Sequence, residues 1–382
     1  MRIALIGTRG VPARYGGFET AVEEVGRRMV SSGHDVTVYC RGDVDLDSYF
    51  GMQLVRLPCL HRRSLETLSH TALSIAHDLW RGHSDVAIVF NAANSIFVPL
   101  LRLRRTPVAT HVDGLEWQRG KWGPWGRRYY RLAEALAVRW SDRLIADAQG
   151  IADYYSLEFG ATSDLIAYGA PLVTPKQNKL DTLTLDRRAY HLVVARFEPE
   201  NHVDMIIRGY LRSEAQLPLV VVGSAPYESD HVRTIESLAA QDSRVRLVGG
   251  IWDQELLDEL YANAATYLHG HSVGGTNPSL LRAMGAGSSI LAYDVTFNRE
   301  VLGVDNIYFM DPETLAAQLR CAELDPARMD ELGEELRLRA ASTYTWDHVA
   351  KEYEQLCESL LRRRSQRGQF SGRRSHSKVS TE

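Results

Sequence analysis

Several things are scarce in this chain. Its 382 residues include four cysteines, Cys40, Cys59, Cys321 and Cys357, and none stands at a disulfide or metal-ligand spacing from another. A disulfide scaffold is thereby excluded, and a structural zinc site gains no support. No apolar run approaches the roughly 20 residues that a membrane-spanning helix needs. The opening MRIALIG runs straight into a strand pattern, so no signal peptide is expected. The expectation is a cytoplasmic protein, at most peripheral on the inner face of the plasma membrane.

A cationic excess is also missing: 44 lysines and arginines face 48 acids. The last 21 residues, 362–382, hold seven of the bases and only Glu382 among the acids, so 37 bases face 47 acids in the rest. A body that acidic argues against a nucleic-acid partner. The tail is Ser- and Arg-rich and nearly devoid of apolar residues, so it is expected to be disordered. Its charge suits an anionic membrane surface. Oligomeric state has no signature in the sequence.

What the chain does contain is an alternation of short apolar runs with amphipathic helical stretches. RIALIG, DVTVYC, MQLVRLP, DVAIVFN, PVATHV, RLIADA and DLIAYG are β-branched, continuous and bounded by Gly, Asp or Pro. Strands of a parallel sheet covered on both faces read this way. After the polar stretch 171–189 the alternation restarts with YHLVVA, LPLVVVG, RVRLVGG, ATYLHG, SSILAYD and NIYFM. The prediction is an α/β protein of two Rossmann-like doubly wound domains facing across a cleft. The first covers 1–170, 171–189 is a linker, the second covers 190–345, and a closing helix covers 346–361.

Ligands of such sheets bind beyond the carboxyl ends of the strands. The first loop there, GTRGVPARYGGFET, combines Gly16 and Gly17 with Arg9 and Arg14 and opens a helix, which favours an anion. Its glycine spacing is not that of a dinucleotide fingerprint. HVDGLEW places His111, Asp113, Glu116 and Trp117 just past another strand. Beyond it, Trp122, Trp125, Tyr129 and Tyr130 interleave with Arg119, Lys121, Arg127, Arg128 and Arg131. Such a segment suits a membrane surface or a lipid-linked substrate, and equally a helix pair packed on the sheet.

In the second half Arg196 follows a strand and Asn201 precedes a helix. Gly250 and Ile251 offer backbone groups and an apolar edge to a nucleotide base. HSVGGTNPSLLRAMG supplies His271, Gly274, Gly275 and Thr276, then Asn277 as an N-cap and Pro278 at the first helical position. Free amides behind glycines make an anion site. Arg282 adds positive charge to the start of that helix, where a compensating anion is expected. His269 and His271 alternate along a strand and so should face opposite ways, which disfavours a metal.

Together, GTRGVPARYGGFET, VDGLEW, ARFEPEN and HSVGGTNPSLL resemble the bacterial GT-B glycosyltransferases, most closely the retaining, family-four rhamnosyltransferases that act on lipid-linked saccharides. The resemblance spans residues 1 to about 360. It implies a closing helix that crosses back to the first domain and a nucleotide-sugar donor, dTDP-rhamnose, handled without a metal. Arg196 would bind the donor diphosphate, with the Gly274–Pro278 turn, His271 and Asn201 around it. Gly16 and Gly17 would close over it, while Arg14, His111, Asp113, Glu116 and Trp117 would meet the acceptor. Arg196, Asp113 and Glu116 would be the catalytic set. Arg282 departs from the pattern, standing where relatives carry a glutamate for the ribose. A nucleotide-sugar 2-epimerase and a non-catalytic scaffold share the architecture and stay open at this point.

Overall fold

The computed structural model describes residues 1–13, 16–42, 46–60, 65–112, 115–119, 122–174, 179–225 and 229–362. The chain divides into two compact units, one of Met1–Tyr168 with the segment from Trp346, the other of Gly169–Thr345.

In the first unit the strands are β1 (Arg2–Ile6), β2 (Asp35–Arg41), β3 (Ser48–Tyr49), β4 (Met52–Leu57), β5 (Val86–Phe90), β6 (Val108–Val112), β7 (Arg143–Ala146) and β8 (Asp164–Leu165). They form one sheet in the order β3-β4-β2-β1-β5-β6-β7-β8. Every pairing is parallel except β3 with β4. The helices are α1 (Gly17–Ser31), α2 (Glu66–His77), α3 (Val98–Leu101), α4 (Pro124–Trp140) and α5 (Gln149–Phe159). All five residues of β5 and of β6 are buried, which is why their sequences run apolar without alternation. Ile6, Ala87 and Val89 of the sheet pack with Ile75, Val98 and Leu101 of α2 and α3. Each such Val, Leu or Ile contributes about 1.5–3 kcal/mol when fully buried.

The second unit has β9 (His191–Val194), β10 (Leu219–Val222), β11 (Val245–Gly249), β12 (Thr266–His269), β13 (Ile290–Tyr293) and β14 (Ile307–Phe309) in the order β11-β10-β9-β12-β13-β14. Around them lie α6 (Val203–Arg212), α7 (Asp230–Ala239), α8 (Gln254–Asn263), α9 (Pro278–Gly285), α10 (Thr296–Leu302), α11 (Pro312–Leu324) and α12 (Pro326–Thr343). The last helix, α13 (Trp346–Leu361), belongs to the first unit. There it pairs with α1 and the turn after it, through Asp347 to Arg28 (2.5 Å) and Glu354 to His34 (2.8 Å). No helix among the described residues is long and apolar enough to cross a membrane.

The described residues of the stretch expected as an interdomain linker belong to the second unit. Val173 N–H donates to the Gly285 carbonyl (3.0 Å), Lys179 N–H to Glu259 Oε2 (2.9 Å) and Arg188 N–H to the Asn263 carbonyl (2.7 Å). Leu180 and Leu185 are buried. Three of its amides are thus held by α8 and α9, while Asp181, Thr182, Thr184, Asp186 and Arg187 are exposed.

Candidate functional site

Strand order reverses at one place in each sheet, and that is where an open α/β sheet leaves a crevice. In the second unit the reversal lies between β9 and β12, which pair side by side. The loops after these two strands hold Arg196, Asn201, His271 and the start of α9. They are tied to each other by hydrogen bonds to backbone carbonyls. The Glu200 carbonyl accepts from the Ser272 N–H (2.9 Å) and the Ser272 hydroxyl (3.1 Å). His202 Nδ1 donates to the Gly270 carbonyl (2.8 Å), and its ring stacks on Tyr293 at 4.3 Å. A Cβ on residue 270 would be driven into the Asn201 carbonyl, so only glycine lets the loops close up.

This scaffold leaves the Arg196 side chain exposed on the loop after β9, and the loop after β12 leads into the turn that opens α9. At that turn the Asn277 side chain accepts from the Ser279 N–H (2.9 Å), and Pro278 takes the first helical position, as predicted. Gly274 and Gly275 precede it, with Gly274 at φ 134, a conformation that favours glycine. Thr276 is buried against the turn. An exposed guanidinium and a helix start on neighbouring loops can hold a phosphate-bearing ligand. Gly250 and Ile251 follow β11, on the far side of β10 from β9.

Three expectations for this unit need correction. Asn201 is buried and its Nδ2 donates to the Arg196 carbonyl at 2.8 Å, so it braces the loop rather than facing a ligand. Arg282 does not wait for a ligand anion: its Nη1 is 2.6 Å from Asp258 Oδ1 on α8. Burial raises the Asp258 carboxyl above the usual range while the guanidinium pulls it back down. His269 and His271 do not face opposite ways. Their rings stack at 4.7 Å and 13° because the strand ends at His269, before Gly270. Burial holds His269 down to about 3.

In the first unit the reversal lies between β1 and β5. Gly7 fits there because a side chain would strike the Phe90 carbonyl. Gly16 caps α1 and Gly17 begins it. The amides of the loop are partly used, however. Arg9 N–H donates to Glu19 Oε1 (3.0 Å) and Ala13 N–H to Glu23 Oε2 (2.7 Å), both carboxylates lying on α1. Arg14 and Asp113 lie outside the described residues.

His111 is fully buried near the end of β6, its ring stacked between Phe90 (5.6 Å) and Tyr168 (6.0 Å) with Phe18 edge-on (5.0 Å). Desolvation pushes it down to about 3. Glu116, expected to orient an acceptor, is buried and engaged: Oε1 pairs with Arg119 Nε (2.8 Å) and Oε2 accepts from Trp122 Nε1 (3.1 Å). Trp117 lies under the Arg131 guanidinium at 5.2 Å. Tyr129 donates to the Ala93 carbonyl (2.7 Å), whereas Trp125 is 80% exposed with Arg128 over its ring. The aromatic run is thus partly packing and partly surface.

Sequence reasoning missed Gly270, His202 and Asp258. A glycine directly after the ATYLH strand and a histidine directly before the VDMII helix were the available signals for the first two. Nothing local marks Asp258 as the partner of a residue on another helix.

Comparison with known proteins places this geometry. Residues 16–168 match the glycosyl transferase 4-like domain, and residues 188–323 match the glycosyl transferases group 1. Among curated proteins, the GtfA subunit of the UDP-N-acetylglucosamine–peptide N-acetylglucosaminyltransferase of Streptococcus gordonii is 29% identical over 136 residues, 34% of this chain and 26% of its own length. The O-antigen chain mannosyltransferase B of Escherichia coli is 23% identical over 172 residues, 43% of this chain and 44% of its own. The chain thus spans less than half the length of these relatives. Two solved structures match almost throughout. Sucrose-phosphate synthase from Thermosynechococcus elongatus has a TM-score of 0.80 at 20% identity, over 95% of this chain and 99% of that one. Anabaena HepE in complex with UDP-glucose has 0.77 at 16%, over 94% and 100%. With two parallel-sheet units of matching fold and both domain families found in order, the chain belongs to the glycosyltransferases of the GT-B type.

Proposed function

We propose that the protein transfers rhamnose from dTDP-rhamnose to a lipid-linked saccharide, with retention at the anomeric carbon and without a metal. The observation that supports this most directly is the exposed Arg196 on the loop after β9, a loop hydrogen-bonded to the one that leads from β12 into the capped start of α9. A nucleoside diphosphate set there would have its charge met by a guanidinium and by backbone amides. In the reaction the bond from sugar C1 to the diphosphate oxygen breaks, and the acceptor oxygen bonds C1 from the same face. The acceptor hydroxyl proton passes to the departing phosphate oxygen. Arg196 stabilises the charge gathered on that diphosphate.

The acceptor side rests on the aromatic and basic surface of the first unit. Trp125 is 80% exposed, and Trp80 and Leu103, at 78% and 76%, stand out from the same unit. Apolar tips among arginines suit an anionic lipid face on the cytoplasmic side of a membrane. The tail contributes by its charge alone, and beyond Arg362 it lies outside the described residues.

A second reading takes a UDP-linked hexose as donor. It is favoured by the HepE structure, which holds UDP-glucose, and by the streptococcal relative, named for UDP-N-acetylglucosamine. One experiment separates the readings: purified protein is incubated with a lipid-linked acceptor and, in turn, labelled dTDP-rhamnose, UDP-N-acetylglucosamine and UDP-glucose. Labelled glycolipid from dTDP-rhamnose alone supports the first reading, and from a UDP sugar alone the second. Epimerised nucleotide sugar without glycolipid rejects both.

A further inference from the structure

The helices on the two faces of the first sheet carry opposite charge. One face, with Ala4, Ile6, Ala87 and Val89, is covered by α2, α3 and the turns beside them, through Ile75, Leu79, Phe97 and Leu101, and by the end of α4 through Trp140. Hydrogen bonds join these pieces into one layer. Tyr129 of α4 donates to the Ala93 carbonyl (2.7 Å), and Arg102 pairs with Asp142, just past α4, at 2.7 Å. The inner side of the layer is on the sheet, so its exposed side chains point away from the sheet.

That outer surface holds many cations and almost no accessible acid. In residues 66–82, 92–105 and 124–140 the acids are Glu66, Asp78 and Glu134. Asp78 and Glu134 are buried, and Glu66 pairs with Arg41 at 3.3 Å. Seven arginines of the same stretches are exposed. On the opposite face the balance reverses. There Gly26 of α1 lies against Leu5, whose side chain points away from those of Ala4 and Ile6, and α13 is joined to α1. The 16 residues of α13 hold four acids and one lysine.

The cations reach from one end of the sheet to the other. β5, β6 and β7 are parallel, so their amino ends share one edge. Trp80 and Arg81 come shortly before β5; Leu103, Arg104 and Arg105 come shortly before β6. Arg139 comes shortly before β7. The other end of α4, with the exposed Trp125, Arg127 and Arg128, lies about 22 Å along the helix toward the carboxyl ends. Arg131 and the exposed Leu132 stand between. α5, which meets α4 where Tyr154 donates to Glu134 (2.8 Å), carries Asp153 and Glu158 and bounds the surface.

We propose that the first unit docks on an anionic bilayer by the outer side of α2, α3 and α4, lying flat so that both ends of its strands meet the lipid. Exposed apolar tips among arginines suit the interface, and each arginine near an anionic surface raises partitioning about fivefold. A unit standing on its crevice end alone would leave Trp80, Leu103 and the arginines beside them in water. The inference rests on the lipid-linked acceptor for its purpose and adds the orientation in which the protein meets that acceptor.

The test is co-sedimentation of the full-length protein with vesicles of phosphatidylcholine and phosphatidylglycerol in equal parts, and of phosphatidylcholine alone. Binding should be strong only on the mixed vesicles and should weaken with salt. Arg81→Gln with Arg104→Gln removes two cations at the amino edge, and Arg127→Gln with Arg128→Gln removes two at the carboxyl edge. Each pair should lower partitioning by roughly 25-fold. Loss in one pair only overturns the flat orientation, and loss in neither overturns the docking face. A lipid-free dimer that both pairs dissociate would assign the surface to a second copy and overturn it as well. Glycolipid formation from an acceptor held in neutral detergent is measured alongside. Protein that makes glycolipid there yet ignores the vesicles overturns this inference and leaves the acceptor reading intact. Protein that binds the vesicles as expected but makes glycolipid from no donor supports the docking face and overturns the acceptor reading.

Discussion

The two sheets reverse in the same way, yet the loops at the two reversals differ in what they leave available. After β1, the glycine-rich loop has Arg9 and Ala13 amides held by Glu19 and Glu23 of its own helix. After β9 and β12, the loops hold each other by a main-chain bond at Glu200 and by the His202 ring on the Gly270 carbonyl, and leave the Arg196 side chain exposed. One loop spends part of its amides on its own helix; the other leaves the Arg196 side chain exposed. Glycine content alone does not distinguish these outcomes, because what matters is whether a carboxylate follows within the next helical turns.

The sharpest way to break this contrast is Arg196→Ala. Removing the exposed cation of the loop after β9 should lower kcat by about 10²–10³, the usual cost of losing a donor to a developing anion. Thermal stability should stay within a degree or two, since the side chain is exposed. Arg196→Lys should restore only part of the rate, because a point charge does not replace a planar fork. Comparable activity in Arg196→Ala would place the diphosphate elsewhere. The opposite variant, Glu19→Gln in the first unit, should leave donor affinity nearly unchanged.

Gly270→Ala tests the interlock itself. The added Cβ collides with the Asn201 carbonyl, so the loops must separate. A loss of about 1–3 kcal/mol in urea unfolding is expected, together with weaker nucleotide binding. A variant as stable as the wild type would show that the loops are not locked.

Much of this arrangement was legible in the sequence, and the rest was hidden for a physical reason. Thirteen of the fourteen strands stand out as β-branched runs, because buried parallel strands are apolar on both faces. The exception is β3, a two-residue antiparallel edge with no pattern to carry. The loops bearing Arg196 and Asn277 were also visible, since strand, glycine and N-cap are local signals. Partners were not. Asn201 ends on a carbonyl, Glu116 on Arg119 and Trp122, and Arg282 on an aspartate 24 residues away. Spacing locates a residue on a loop, whereas its counter-charge comes from tertiary packing. The stacked His269 and His271 show the same limit, since alternation fails where the strand stops.

The buried histidines allow a pH test of the first unit. His111 is held down to about 3 by desolvation, while the unfolded chain takes up its proton near the ordinary value of about 6.5. Between those values the unfolded state binds more protons than the native one, so stability falls as pH drops from about 6.5 toward 3. One such group contributes a slope of about 1.4 kcal/mol per pH unit. His111→Phe preserves the stack with Phe90 and Tyr168 and should flatten the acid limb by up to that slope. An unchanged limb in urea titrations at pH 4 to 7 would mean that His111 protonates in the native protein.

The smallest effect expected concerns Arg282. If this arginine were a decayed ligand contact, Arg282→Glu would improve nucleotide binding, since a carboxylate can accept from ribose hydroxyls. The Asp258 contact at 2.6 Å gives the opposite expectation. A glutamate there would face Asp258 across the α8–α9 contact, replacing attraction by like-charge repulsion. Both side chains keep access to water, 25% and 33% exposed, so the loss should be about 1 kcal/mol, in the range of accessible pairs. Nucleotide affinity should not rise. The double variant Arg282→Glu with Asp258→Arg restores the pair in reverse and should recover most of the stability, a coupling that an independent pair of sites would not show. Recovery of stability with unchanged affinity assigns Arg282 to joining α8 and α9. Tighter nucleotide binding in Arg282→Glu would instead return it to the ligand.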